Sequence, residues 1–292
     1  MKRLLANIKY VLKKSCEWTI AVFAFLGLIG TFAPLSDLLA DDLELWKRIV
    51  FSIAVLCVIW LITFIISAII ISFKRKYLAL EVNNHCVYVQ YGDIFSPNET
   101  CGETPRRNIV IPVNRCFDTL VDDDLISSNT LHGKAIKRII RRGVSQEKLN
   151  SAIQSNLKKQ GLLSETILRT QKRSGNLERY PVGSVAEIQE TNECTFFLLG
   201  LTSFDDKLTA SVSVEDYVVA LTKALKFCNY RSQQYPVLMP LIGGGLSRTG
   251  KSERDILEYL IKLIKLNKDL IQFDLHIIVR ENGRDTVPIS DL

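Results

Sequence analysis

The sequence predicts an α/β domain built on a mixed central sheet and preceded by a two-helix membrane hairpin. Three observations carry this expectation. Two uncharged stretches, residues 18–36 and 49–73, lie close together near the start of the 292-residue chain, and the second is long enough to cross a bilayer with tilt. Beyond residue 76, short β-rich runs alternate with segments of helical spacing, the pattern of an α/β sandwich. One passage from strand to helix runs through Pro240-Leu241-Ile242-Gly243-Gly244-Gly245-Leu246-Ser247-Arg248-Thr249-Gly250, whose centre lacks Cβ atoms.

Composition bounds the reading. The chain is 47% hydrophobic with a formal charge of +6, and its mean hydropathy of +0.14 owes its excess to residues 18–73. The basic clusters Lys2, Arg3, Lys9, Lys13, Lys14 and Lys74, Arg75, Lys76 flank apolar segments. Arg138, Arg141 and Arg142 read as a solvated helix face, so no nucleic-acid partner is expected. Seven cysteines show neither Cys-x-x-Cys nor histidine-ligand spacing, which argues against a metal or disulfide framework and for a reducing compartment.

In chain order, a basic segment (1–17) precedes the hairpin (18–76), whose connector carries Asp37, Asp41, Asp42 and Glu44. Basic residues dominate before the first span and after the second, so the positive-inside rule places the N-terminus and residues 77–292 in the cytoplasm, with Lys47 and Arg48 opposing. A cleaved signal peptide is the alternative for the first span; its long apolar core and the lack of a small-x-small site speak against it. Phe73-Lys74-Arg75-Lys76-Tyr77 runs into Leu78 without a flexible spacer, as a tight coupling or a simple anchor boundary would.

Strands are expected at 86–91, 108–113, 185–188, 195–201, 235–242 and 275–279, and helices at 132–141, 146–160, 215–227 with Ser213 as N-cap, and 253–266. His276, within an apolar run, reads as a core histidine. Segments 95–107 and 143–180 have no assigned role. The second is an insertion, a subunit contact or a lid.

Ligands in such sheets sit outside the carboxyl ends of strands. Three strand ends carry suitable residues: Asp93, Asn114 and the 243–250 turn. Glycines there permit positive φ and let backbone N–H groups converge on an anion near a helix start, or simply make a tight turn. Without Gly-Lys-Ser/Thr the turn is no Walker A loop, and no Gly-x-Gly-x-x-Gly opens a βα unit.

The order Gly92-Asp93-Ile94, an apolar strand closing on Asn114, and a late glycine turn before a helix resembles the macro domain, over roughly residues 78–290. The resemblance implies a macro-like three-layer sandwich and an ADP-ribose-type ligand. Asp93, with Ile94 beside it, would accept from the adenine amino group, or is a turn residue after Gly92. Asn114 would face the distal ribose, or is a cap. Phe117, Asp118, Ser128, Thr130, Leu131, His132 and Gly133 would border the ligand, and Gly243, Gly244, Gly245, Leu246 and Ser247 would wrap its diphosphate. Arg248 adds charge there or is an exposed loop residue. The sequence departs from hydrolytic macro domains: Arg115-Cys116-Phe117-Asp118-Thr119 follows the asparagine and no paired glutamates occur. That points to a reader without catalytic residues, although Asp118 and His132 stay open as an acid/base pair or as ligand-orienting groups.

Taken with the membrane helices, the segments around Asn114, Ser127-Ser128-Asn129-Thr130-Leu131-His132-Gly133, Tyr180-Pro181-Val182-Gly183-Ser184 and Pro240 resemble transmembrane macro effectors of bacterial Thoeris antiphage defence. This implies a multi-pass inner-membrane protein, without cofactor or metal, that forms a homo-oligomer. Its signal would be NAD-derived, a histidine conjugate of ADP-ribose made by a TIR-domain partner, and its output disruption of the lipid bilayer and cell death. The alternatives are a membrane-tethered ADP-ribosyl hydrolase and a passive anchor for ADP-ribosylated partners.

Overall fold

The computed structural model describes residues 4–5, 7–32, 45–100, 105–243 and 251–289. Contacts divide the chain into two units, residues 1–75 with 284–291, and residues 76–283.

The first unit holds α1 (Ile8–Phe32) and α2 (Leu45–Phe73). Helix α1 starts ahead of the uncharged stretch, so its early turns carry Lys9, Lys13 and Lys14, the last paired with Glu17 at 2.6 Å. Helix α2, 29 residues long, measures about 43 Å at 1.5 Å per residue. Among the described residues one helix, Trp46–Phe73, is long and apolar enough to cross a membrane. The expected acidic connector lies outside the described residues.

The two helices meet through hydroxyls. Thr19 and Thr63 share a hydrogen bond of 2.9 Å, and Thr63 Oγ1 also donates to the Ser15 carbonyl at 3.2 Å. Ser15, Thr19 and Thr63 are buried. Small hydroxylated residues let helix backbones approach closely and bond across apolar surroundings.

Lys74 and Arg75 alone separate α2 from the second unit. Its strands are β1 (Lys76–Val82), β2 (His85–Gly92), β3 (Arg107–Asn114), the short pair β4 (Glu165–Thr166) and β5 (Glu178–Arg179), β6 (Val185–Thr191), β7 (Cys194–Phe204), β8 (Ala210–Ser211), β9 (Val237–Pro240) and β10 (Leu275–Arg280). Its helices are α3 (Leu131–Arg141), α4 (Gln146–Lys159), α5 (Val214–Arg231) and α6 (Glu253–Leu266).

Each helix begins on a hydroxyl cap. Thr130, Ser145, Ser213 and Ser252 accept from the backbone N–H of Gly133, Lys148, Asp216 and Asp255, which satisfies a donor that the first turn leaves free.

The sheet order is β1-β2-β10-β9-β3-β7-β6, with β8 on β7. Strands β2, β10, β9, β3 and β7 are mutually parallel, while β1, β6 and β8 run antiparallel to their neighbours. This is the mixed α/β sheet expected. Strand β1 is an addition, since its half-buried edge pattern does not stand out beside the membrane segment. Strand β9 is shorter than expected, although Leu241 N still reaches the Ile278 carbonyl.

Alternation divides the central strands between two layers. Ile109, Ile111, Phe196 and Leu198 point into a core with Ile136 and Ile139 of α3 and Leu149 and Ile153 of α4. Phe197, one residue out of step, meets Phe227 of α5 edge-on at 5.1 Å, and Tyr217 of α5 pairs with Tyr259 of α6. The two helix pairs thus cover opposite faces, because the strand period of two sends successive side chains to opposite sides.

Truncating Leu198, 1% exposed, to alanine should cost about 2–5 kcal/mol. Leu120→Ala, at 38% exposure, should stay within about 0.5 kcal/mol. Denaturant unfolding followed by circular dichroism measures both, and equal midpoints would contradict this core.

Candidate ligand-binding site

Five parallel strands present their carboxyl ends on one edge of the sheet, and two cavities open there. The larger, about 590 Å³, is lined by Asn114, residues 123–127 and 129–132, Thr202, Phe204, residues 208–210 and residues 240–243. The smaller, about 260 Å³, is lined by residues 92–95, Lys134, Glu253 and residues 278–280. Asn129, Leu131, Pro240, Leu241 and Arg280 belong to both. The larger volume suits a small organic ligand.

Asn114 closes β3, where the pairing with β7 slips so that Asn114 stands opposite Thr202. Its Oδ1 accepts from Cys116 N at 3.0 Å and its carbonyl from Phe117 N at 2.9 Å. Only 3% exposed, it has an Nδ2 without a hydrogen-bond partner. The amide lies near enough to favour the Asp118 carboxylate, but not in hydrogen-bonding geometry. A buried amide donor left unmade costs free energy that a ligand acceptor would recover.

The loop after β3 is held by its own polar groups. Asp123, at φ 67°, accepts from Ser128 N at 2.6 Å, while Asp122 accepts from Leu125 N at 2.8 Å. Thr130 both caps α3 and donates to the Ser127 carbonyl at 2.7 Å. Gly133 is what lets this loop lie on the helix, since a Cβ there would stand 2.3 Å from the Ser127 oxygen. Thr130, Leu131 and His132 therefore line the larger cavity, while Ser128 and Gly133 shape it from behind.

At the smaller cavity Asp93 is exposed and its Oδ1 accepts from Phe95 N at 3.1 Å. Ile94 is buried beside it. Glu99 accepts from Asp93 N at 3.1 Å and from Gln90 Nε2 at 2.8 Å. The Gln90 Oε1 in turn accepts from His276 Nδ1 at 2.9 Å, which fixes that imidazole's tautomer. Burial lowers the His276 pKa to about 4, helped by Lys76, in keeping with a core histidine.

Phe117 and Asp118 stand behind the cavity wall. Phe117, at φ 49°, is 2% exposed and meets Tyr180 edge-on at 5.7 Å. Asp118 pairs with Lys172 Nζ at 2.6 Å, each side chain 1% exposed. Its other oxygen accepts from Asn176 N at 2.6 Å, and Lys172 also donates to the Asn176 carbonyl at 2.7 Å. Burial raises the Asp118 pKa against the pull of Lys172. Segment 161–180 is thus packed onto the exit of β3.

Asp118 and His132 do meet, but through the backbone. The Asp118 carbonyl accepts from His132 Nε2 at 2.9 Å, so the carboxylate is not the imidazole's partner. Burial lowers the His132 pKa to about 4. Its ring is therefore neutral at pH 7, with Nδ1 as the acceptor.

The glycine turn begins at Gly243, φ 96°, and Tyr217 Oη donates to the preceding Ile242 carbonyl at 2.7 Å. Gly244, Gly245, Leu246, Ser247 and Arg248 lie outside the described residues. Arg280 and Asn129, absent from the expected set, line both cavities. Arg280 follows an apolar strand as Asp93 and Asn114 do, and the same strand-end rule finds it.

The profile described as Thoeris protein ThsA, Macro domain, matches residues 87–280. The chain belongs to the ThsA macro-domain family. It is also 30% identical over 184 residues to the Thoeris protein ThsA of Bacillus amyloliquefaciens (strain Y2), an alignment covering 63% of this chain and 57% of that relative. The chain thus spans little more than half the length of the ThsA protein it matches. The family match embraces β3, β7, β9 and β10, the larger cavity and all of the smaller one but Asn282, and it leaves α1 and α2 outside.

Two outcomes follow from the buried polar groups. Asp118→Asn leaves the Lys172 ammonium without its counter-charge and should cost about 3–5 kcal/mol, with the double variant Asp118→Asn/Lys172→Met milder than the single one. For a base whose folded pKa is depressed, the unfolded chain binds protons first as pH falls. Stability should be full above 6.5 and decline from 6.5 toward about 4, by up to roughly 3 kcal/mol per histidine. Urea titrations across that window should show a shallower decline in His132→Gln, whose amide still donates to the Asp118 carbonyl.

Proposed function

We propose that this chain is a membrane effector of antiphage defence that binds an ADP-ribose-derived signal. The observation that carries the reading is the pair of adjoining cavities, one bearing the Asp93 acceptor and the other the unpartnered Asn114 amide. An ADP-ribose molecule has two ends of matching chemistry: an amino-bearing base, and a ribose whose hydroxyls can accept from Asn114. The family match supports the same ligand class and a partner TIR-domain enzyme that makes the signal from NAD. A histidine conjugate is our choice of signal.

In this reading α1 and α2 form a multi-pass anchor in the bacterial inner membrane with both flanking segments cytoplasmic, and copies of the chain assemble when the signal binds. The apolar length of α2 and the two-residue junction with β1 support it. Switching an assembly from about 1% to 99% active needs about 5.5 kcal/mol of preferential binding to the active form. Membrane disruption and cell death are the proposed output.

We read the domain as a sensor rather than a hydrolase. The Asp118 carboxylate is committed to Lys172 and Asn176, and the His132 Nε2 to a carbonyl, which leaves neither poised as a general base at that atom.

Calorimetry on the full-length protein in detergent micelles tests the reading with ADP-ribose and its histidine conjugate. Binding is expected, with the ligand recovered intact by chromatography, and Asn114→Ala should weaken it about five- to tenfold. Consumption of the ligand would make the protein a hydrolase. Undiminished killing by Asn114→Ala beside an active TIR enzyme would exclude the sensor role.

A further inference from the structure

Arg280 ends β10 in the wall that the two cavities share, its backbone in register with Gly92 of β2, one residue before Asp93. Four carboxylates line these cavities: Asp93 and Glu253 in the smaller, Asp123 and Asp124 in the larger. None forms an ion pair with Arg280 among the described residues. Asp124 pairs instead with Arg173, and Asp123 is taken up by Ser128 N. Among the described residues the exposed guanidinium at the junction therefore has no ion-pair partner.

Any ligand that fills both cavities has to set its middle against Asn129, Leu131, Pro240, Leu241 and Arg280, and only Arg280 among these carries charge. A guanidinium presents a planar fork of donors that matches two phosphate oxygens at once. We propose that Arg280 engages the phosphate bridge of the ligand and makes the site selective for two-ended molecules joined by a diphosphate over plain nucleosides. This rests on the ADP-ribose reading above and adds a residue to it. The base and the ribose then fix the two ends, while Arg280 supplies the fixed charge between them.

The test compares wild type, Arg280→Gln and Arg280→Lys as full-length proteins in micelles, each titrated with ADP-ribose and with adenosine, the latter followed by ligand-observed NMR. Arg280→Gln is expected to weaken ADP-ribose by about 10- to 100-fold, the range of a charge-assisted contact, with adenosine changed less than about threefold. Arg280→Lys should restore part of the loss, because a point charge replaces the fork. Equal weakening of both ligands would make Arg280 a shaping residue and overturn the inference. So would unchanged ADP-ribose affinity in Arg280→Gln, with the ADP-ribose reading intact. A wild-type protein that ignores ADP-ribose would instead remove that reading, and this inference with it.

Discussion

Lys172 and Asp118 each leave only 1% of their side chains to solvent, and the far wall of the site depends on their staying together. Removing two charges from water costs several kcal/mol per ion, so such a pair is tolerable only when every remaining donor and acceptor is met. Here Asn176 meets one on each side: its N–H reaches Asp118, its carbonyl takes Lys172, and its side chain spans to Cys116, Phe117 and Asn150. Gly175, at φ 81°, brings the backbone so close that a Cβ would sit 2.3 Å from the Asp118 oxygen. One network therefore fixes the turn after β3, and with it the Asn114 amide and the His132 ring that hangs from the Asp118 carbonyl.

Much of this architecture is legible in the amino-acid sequence, for reasons that differ by element. Helices α3 to α6 carry a serine or threonine just ahead of an amphipathic run, so local chemistry announces their starts. Strands β3, β7 and β10 are apolar on both faces, as parallel strands between helix layers must be. Strand β1 escapes because an edge strand, half-buried along its length, has a weak pattern. Asp93, Ile94, Asn114, Thr130, Leu131, His132 and Gly243 are reachable from strand ends and from the resemblance, and they line the cavities. The direction of Phe117 and Asp118 is not, because a left-handed residue in a turn reverses the faces that strand alternation assigns. Lys172, 54 residues from Asp118, gives no local sign that it is a buried partner.

The helical unit follows different rules. Helix α2 is apolar around its whole circumference, so no single apolar stripe can orient it, and hydroxyls do so instead. Ser52, Thr63 and Ser72 bond back to carbonyls within their own helix, which satisfies them without an external partner. Thr63 alone of the three also reaches α1. Among the described residues, hydroxyl contacts between the two helices gather around Ser15, Thr19 and Thr63.

The depth of the Asp118 and Lys172 pair separates two kinds of electrostatics in one domain by their response to ionic strength. Dissolved ions screen exposed charges over roughly 8 Å at physiological concentration, while buried pairs feel far less of that screening. The wall behind the cavities is consequently much less sensitive to salt, whereas the exposed Arg280 where the two cavities join has its field set by the surrounding electrolyte. A change in the ionic strength around the protein would retune the field of Arg280 and leave the architecture behind it largely unchanged.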